Sequence, residues 1–322
     1  MNISEKPWII NLELTNACNL SCIFCDYPVL KRKMSIKEMD ERLLEKVFLN
    51  IKADKIYELG LVGLGEPTLA RSLGRHLQII NAHADIFERI TFNSNLVTLN
   101  KKTAEVLLNS RINTYTFSVN ASNRQAYQKM MGKDKFDVVI ENLKSFLSLV
   151  KGQRVKPRID VQLFDFEQNN MDELKKLLPE TTDLNVNFFC RKLYNKPVLK
   201  ESSEHLNIHM PGDDARYPCW DIYTRIYIDV EGNLYPCTIG NDSYREASNL
   251  CLGNILEDTT LNLFNNLKIQ EARHKAEKGF LPFPECGICN IWSLTPNNFE
   301  WDASDQIWRK KEKQVRAYGL RG

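Results

Sequence analysis

Short apolar runs and amphipathic stretches alternate along the first 190 or so residues of the chain. The runs Ile9 to Leu14, Glu58 to Val62, Arg89 to Phe92, Asn113 to Val119, Arg158 to Phe164 and Leu184 to Phe189 have the length and the β-branched or aromatic content of strands. The pieces between them carry apolar residues at helical spacing: Ser35 to Asn50, Leu69 to Ala84, Lys101 to Leu108, Ser122 to Met131, Phe136 to Val150 and Met171 to Leu178. In the first of these, Ser35 and Glu38 have capping-box spacing ahead of Met39, Leu43, Leu44 and Val47. Six strand–helix units in strict alternation predict an α/β fold with a parallel sheet and helices outside it, either a curved partial barrel or a doubly wound sheet.

The polar motifs favour the barrel. In a parallel barrel, function sits on the loops at the C-terminal ends of the strands. A cysteine loop follows the first strand, Gly63-Leu64-Gly65-Glu66-Pro67 the second and Asn93-Ser94-Asn95 the third. Ser118-Val119-Asn120 closes the fourth strand, Gln162 lies in the fifth and Cys190-Arg191 closes the sixth. All of them share one rim, which predicts a partial (β/α)6 barrel over residues 8–204.

From about residue 205 the alternation stops, and Pro211-Gly212-Asp213-Asp214 reads as a boundary. Tyr223 to Val230 alternates like a strand, Glu231-Gly232-Asn233 is a turn, and Asn233 to Pro236 begins the return strand. A helical stretch from Asn262 to Lys278 leads to Cys286-Gly287-Ile288-Cys289. These features predict a small cysteine-rich α+β domain over 205–295. The charged segment Ala303 to Tyr318 reads as a helical tail within 296–322.

Composition narrows the function classes. The chain has 322 residues, 43% of them hydrophobic, which suits a globular fold with a full core. Its 43 basic and 41 acidic residues leave a net charge of +2, so no nucleic-acid stripe or membrane-binding surface is expected. The first residues lack the charged and apolar blocks of a signal peptide, no apolar run approaches a membrane span, and a cytoplasmic location is expected. Only about eight residues precede the first strand, which favours a small-molecule partner over a peptide that would need a recognition domain. Nine cysteines in clustered spacings read as reduced thiols and metal ligands.

Cys18, Cys22 and Cys25 stand as C-x-x-x-C-x-x-C directly after the first strand, with Phe24 before the third cysteine. Three thiolates on one short loop can take three corners of a cubane cluster and leave the fourth iron open to a cofactor or substrate. Structural zinc needs a fourth protein ligand, and no histidine lies near this loop. A second group, Cys219, Cys237, Cys286 and Cys289, can close a cluster completely; the same four thiols could also build a tetrahedral zinc site.

The first motif resembles the signature of the radical S-adenosylmethionine (SAM) superfamily. That resemblance extends to Gly65-Glu66-Pro67, which stands where the family has G-G-E-P, with Leu64 in place of the first glycine. It implies that Gly65 and Glu66 hold the SAM amino group. Asn93-Ser94-Asn95 stands at the family's T-N-G, with Asn95 as the residue able to take a positive φ. Ser118 and Asn120 match the S-x-D-G position near the SAM ribose, without its acid. The second cysteine group is similar to the SPASM/twitch extension and matches its shorter form, with one auxiliary cluster. The resemblance thus implies two 4Fe-4S clusters, SAM as cofactor, and an electron donor such as flavodoxin or ferredoxin. The cofactor-binding candidates are Phe24, Gly65, Glu66, Ser94, Ser118 and Asn120.

Cys251 is left over, because the C-terminal region holds five cysteines and a closed cluster uses four. Set between apolar neighbours, it is either a small buried hydrophobe or a protonated thiol able to hand a hydrogen atom to a carbon radical. Cys190, at the end of the sixth strand, is the second candidate donor and otherwise a core residue. Together these features lead to an expected activity: SAM cleavage to a 5'-deoxyadenosyl radical, hydrogen abstraction from a carbohydrate or aminoglycoside-like substrate, and epimerisation with Cys251 as donor. A dehydrogenase that passes an electron to the auxiliary cluster, or a peptide-modifying maturase, are the alternatives.

Overall fold

The computed structural model describes residues 6–49, 51, 55–193, 216–238, 249–287, 289–294 and 297–311. Six parallel strands, β1 (Ile9–Leu12), β2 (Ile56–Leu61), β3 (Phe87–Ser94), β4 (Thr114–Asn120), β5 (Arg158–Phe164) and β6 (Val186–Arg191), follow one another in the sheet. Between them run α1 (Tyr27–Leu30) and α2 (Glu41–Leu49), then α3 (Leu73–Ala82), α4 (Lys101–Leu108), α5 (Arg124–Met131) with α6 (Phe136–Lys151), and α7 (Met171–Lys176). All six strands and the expected helices between them are present.

The two faces of this sheet differ in polarity. Ile10, Leu12, Leu59, Leu61, Ile90, Phe92, Tyr115, Phe117, Ile159 and Val161 are buried in one core with Leu44 and Val47 of α2, Leu77 of α3, Leu107 of α4 and Leu143, Phe146 and Leu147 of α6. Phe146 sits 4.9 Å, ring to ring, from both Tyr115 and Phe117. Side chains alternate across a strand, so the intervening positions, Asn11, Glu58, Thr91, Thr116 and Gln162, face the other way and line a cavity. The apolar face is covered by helices, and the polar face is left for function.

The helix ends depart from the expected signals. Glu38 does not close a capping box with Ser35; it bridges Thr15, and its carboxylate accepts from Arg71 N and Ser72 N. Asp40 starts α2 instead, its Oδ1 accepting from Arg42 N at 2.9 Å. The C-terminal helical stretch is broken into α9 (Thr260–Phe264) and α10 (Leu267–Glu277), because Asn266 Oδ1 caps Ile269 N and begins a new helix.

The cysteine-rich region joins the same sheet. After α8 (Asp221–Thr224), β7 (Arg225–Ile228) pairs parallel with β1, and β8 (Asn233–Tyr235) and β9 (Gly253–Asn254) continue antiparallel. The resulting order, β6-β5-β4-β3-β2-β1-β7-β8-β9, is open at β6 and β9, as a partial barrel requires. The expected boundary at Pro211 to Asp214 lies outside the described residues. The helical tail is corrected over its described part: β10 (Phe299–Asp302) and β11 (Ile307–Lys310) form an antiparallel hairpin. Trp301 pairs with Trp308 across it at 5.5 Å, and Asp302 accepts from Ser304 N in the turn, so cross-strand contacts outweigh the helical tendency of the charged residues.

Candidate active site

The loop after β1 is pinned on three sides. Asn16 Nδ2 donates to Ser35 O at 3.0 Å while its Oδ1 accepts from Lys37 N at 2.7 Å. Ser21 N and Ile23 N donate to Met131 O and Met130 O at the end of α5. Glu66 N donates to Ala17 O at 2.7 Å, which brings the turn after β2 against the cysteine loop. A Cβ on Gly65 would sit 2.7 Å from Ala17 O and nearer still to Thr15 O, so only glycine permits this approach.

A cavity of about 260 Å³ opens on this rim. Cys18, Cys22 and Cys25 line it together with Phe24, Gly65, Glu66, Ser94, Ser118 and Asn120, so every expected residue of the first group meets in one place. Phe24 packs on Phe164 at 4.4 Å between ring centres. Glu66 is 3% exposed and its carboxylate is fully engaged: Oε1 accepts from Ser94 Oγ at 2.8 Å and Thr68 Oγ1 at 2.7 Å, and Oε2 from Asn95 N at 2.7 Å. Burial raises its pKa even though these donors oppose the shift.

The expected role of Asn95 in the turn is corrected. The left-handed residue after β3 is Leu96, with φ of 68°, and Asn95 is not among the residues of positive φ. Leu96 takes this glycine-like conformation while fully buried. Asn142 Nδ2, from α6, holds that turn by donating to Leu96 O at 2.8 Å. At the end of β4 the register shifts between Ser118 and Asn120, and Asn120 has φ of 65°. Its Oδ1 accepts from Gln162 Nε2 at 2.8 Å, and its Nδ2 lies 3.5 Å from Met131 Sδ. Met131, Gln162, Leu193, Tyr227 and Thr238 also line the cavity without having been singled out as site residues. Only Gln162 had a sequence signal, as a polar residue on an inward strand position.

Burial pushes the Cys18 thiol up to about 12 and the Cys22 thiol well above its ordinary value, with the neighbouring thiols adding to both shifts. In the second group, burial likewise raises Cys219, Cys286 and Cys289, and Cys219 senses Cys289 and Cys237. Thiolates gathered in so dry a setting need cationic charge beside them, which iron supplies. Both groups therefore fit a cluster. Among the described residues no three His, Cys, Asp or Glu side chains are arranged to hold a single metal ion.

A larger cavity of about 780 Å³ adjoins the first, and both are lined by Val62, Asn93, Gln162, Arg191 and Thr238. Its charged wall residues are mostly paired: Arg89 with Glu58, Arg158 with Asp160 at 3.0 Å, and Arg225 with Asp221 at 3.3 Å. Thr91, 6% exposed, turns a hydroxyl with no partner among the described residues into this wall. Cys190 borders the cavity and is exposed rather than in the core. Cys251 lines neither cavity; its Sγ lies 3.8 Å from Gly253 O, and it packs against the core.

A model of the radical SAM superfamily matches residues 12–177, just over half of the chain, and a model of the SPASM iron-sulfur cluster-binding domain matches 219–290. The chain belongs to the radical SAM superfamily. It carries a radical SAM domain followed by a SPASM-type iron-sulfur domain, and the two imply SAM and 4Fe-4S clusters as cofactors, an auxiliary one included. A probable GTP 3',8-cyclase of Saccharolobus solfataricus is 29% identical over 184 residues, 55% of this chain and 54% of that protein. The chain thus spans about half the length of the curated relatives it matches. Mycofactocin maturase MftC of Mycolicibacterium smegmatis is 23% identical over 44% of this chain and 34% of its own length. In fold, the chain is similar to BtrN in complex with AdoMet and 2-DOIA, with a TM-score of 0.58 at 17% identity over 88% of this chain and 92% of that one. SuiB of Streptococcus suis gives a TM-score of 0.61 at 15% identity over 98% and 78%. Among the described residues no helix is long and apolar enough to cross a membrane.

Proposed function

We propose that Cys18, Cys22 and Cys25 hold the open-cornered cluster, that Gly65, Glu66, Ser94, Ser118 and Asn120 form the SAM pocket beside it, and that the enzyme oxidises a carbon bearing a hydroxyl in a polyhydroxylated small substrate. The observation that carries the substrate reading is the larger cavity, which adjoins the SAM pocket. Its wall offers hydroxyls and amides, with Arg89, Arg158 and Arg225 each matched by a carboxylate and Arg191 and Lys192 adding positive charge, and so suits a hydroxyl-rich molecule that is neutral or carries an anionic group. A polycationic aminoglycoside would need unpaired carboxylates there, and each described carboxylate of that wall has an arginine partner.

When bound, the cluster and SAM supply a 5'-deoxyadenosyl radical that removes one hydrogen atom from the substrate. The chain's own residues do the rest. Glu66 fixes the turn carrying Gly65 against the cysteine loop, and Asn120 and Gln162 set the wall between the two cavities. Cys219, Cys237, Cys286 and Cys289 are the proposed ligands of the auxiliary cluster, which would supply a one-electron acceptor for the oxidation of the substrate. Oxidation is preferred to epimerisation because Cys251 lies outside both cavities. Cys190, which borders the larger one, keeps epimerisation as the second reading.

The test is anaerobic. Reconstituted, dithionite-reduced protein is expected to form 5'-deoxyadenosine from SAM, faster with a hydroxyl-rich substrate drawn from a panel of sugars and cyclitols. Absence of deoxyadenosine from cluster-replete protein would sink the proposal. Turnover in deuterated water separates the two readings, since a ketone carries no deuterium at the reacting carbon and an epimer carries one delivered by an exchangeable thiol. Stimulation by peptides instead of polyols would transfer the site to a peptide substrate. Flavodoxin or ferredoxin is the proposed physiological donor.

A further inference from the structure

Two amide side chains meet at the cysteine loop, and their orientations are fixed by their partners. Asn95 Oδ1 accepts from Val97 N at 3.0 Å, so its Nδ2 is the end that faces the loop. That Nδ2 donates to Asn19 Oδ1 at 2.8 Å and lies 3.9 Å from Cys18 Sγ. Asn19 Oδ1 is thereby occupied, which leaves Asn19 Nδ2 as a donor shielded from solvent with no acceptor among the described residues. Behind them, Asn95 N donates to the Glu66 carboxylate at 2.7 Å. The row runs from a buried acid through two amides to the edge of the cysteine loop. A buried donor without a partner carries a desolvation cost of about 1–3 kcal/mol, so an acceptor is expected at that place.

We propose that Asn95 and Asn19 form an amide relay that donates to the sulfur envelope of the cluster held by Cys18, Cys22 and Cys25, and so raises its reduction potential. The inference rests on the assignment of that cluster made above. Adding one electron from an external low-potential donor makes the cluster more negative by one charge. N–H groups aimed at its sulfurs stabilise the reduced form more than the oxidised one. Asn95 and Asn19 act here as positioning and tuning residues and touch no substrate.

The test uses the full chain, reconstituted with iron and sulfide. Iron is counted, and the cluster whose EPR signal responds to SAM is titrated against dithionite. Asn19→Ala and Asn95→Gly are expected to keep the iron count and to lower the reduced-to-oxidised ratio at fixed potential about tenfold. For a one-electron couple that is a shift of about 59 mV to more negative potential. Asn142→Ala is the structural control, because it loosens the same turn from the α6 side by removing a donor to Leu96 O while leaving both amides at the cysteine loop in place; its midpoint should stay that of the parent. Should Asn95→Gly lose iron, Asn95→Asp keeps the shape and the Val97 acceptor while removing the donor, with the same expected direction. Unchanged midpoints in Asn19→Ala and Asn95→Gly, or an equal shift in Asn142→Ala, overturn the relay. A parent protein with no SAM-responsive cluster overturns the assignment beneath it, a different and recognisable outcome.

Discussion

Replacing Gly65 with alanine tests the contact on which the SAM pocket depends. The added Cβ would lie 2.7 Å from Ala17 O and 2.8 Å from Asn16 C, with Thr15 O nearer still, and all three are backbone atoms that no rotamer change can move. Bringing Ala17 O out to 3.4 Å, where ordinary contact begins, takes about 0.7 Å, and Thr15 O demands more. The same displacement stretches the 2.7 Å hydrogen bond from Glu66 N to Ala17 O towards its limit. Overpacking of this kind costs about 1–3 kcal/mol, and a weakened backbone hydrogen bond adds about 1 kcal/mol. Gly65→Ala should therefore lose about 2–4 kcal/mol of stability in urea denaturation of the cluster-free protein. It should also bind SAM at least tenfold more weakly at equal iron content, because the cysteine loop and the Glu66 turn no longer share one geometry. Gly74→Ala is the control: nothing lies within 4 Å of its Cβ on α3, and it should stabilise by about 0.5–1 kcal/mol. If Gly65→Ala unfolds within 0.5 kcal/mol of the parent and keeps its SAM affinity, the close approach of the two loops is not what requires glycine.

The parent should carry about eight irons after reconstitution, and the triple replacement of Cys18, Cys22 and Cys25 by alanine about four, as colorimetric iron analysis would read; stoichiometric zinc surviving in that variant would count against the auxiliary cluster. Glu66→Ala leaves the hydrogens of Ser94 Oγ, Thr68 Oγ1 and Asn95 N without their acceptor and should weaken SAM binding while iron is retained, measured by equilibrium binding. His76 is fully buried, donates from Nε2 to Met39 O at 2.8 Å and has its pKa lowered by burial. Its folded-state pKa lies below the unfolded value, so the stability it contributes is present above about pH 6.5 and is lost as pH falls through the folded value. Thermal melts of His76→Gln between pH 5 and 7 should show a shallower slope than the parent.

Read alone, the sequence determined the class of protein and which loops gather around one cavity. Cys18, Cys22, Cys25, Gly65, Glu66, Ser94, Ser118 and Asn120 were legible because strand periodicity fixes which end of a strand a loop leaves from, and a parallel sheet sends all such loops to one side. The positions of β1 to β6 and of the helices between them, though not all their ends, followed from the same local patterns. Tertiary structure decided what depends on partners far along the chain. Residues 225–228 extend the sheet on the free edge of β1 because pairing between distant segments leaves no periodic trace in either one. The segment from 299 to 310 is a hairpin because Trp301 finds Trp308 across it, a contact its charged composition conceals. The glycine-like turn falls on Leu96 and not on Asn95 because Asn142 and the Glu66 carboxylate fix the backbone on either side of it. Cys251, a spare thiol by arithmetic, packs away from both cavities, since a count of ligands carries no direction in space.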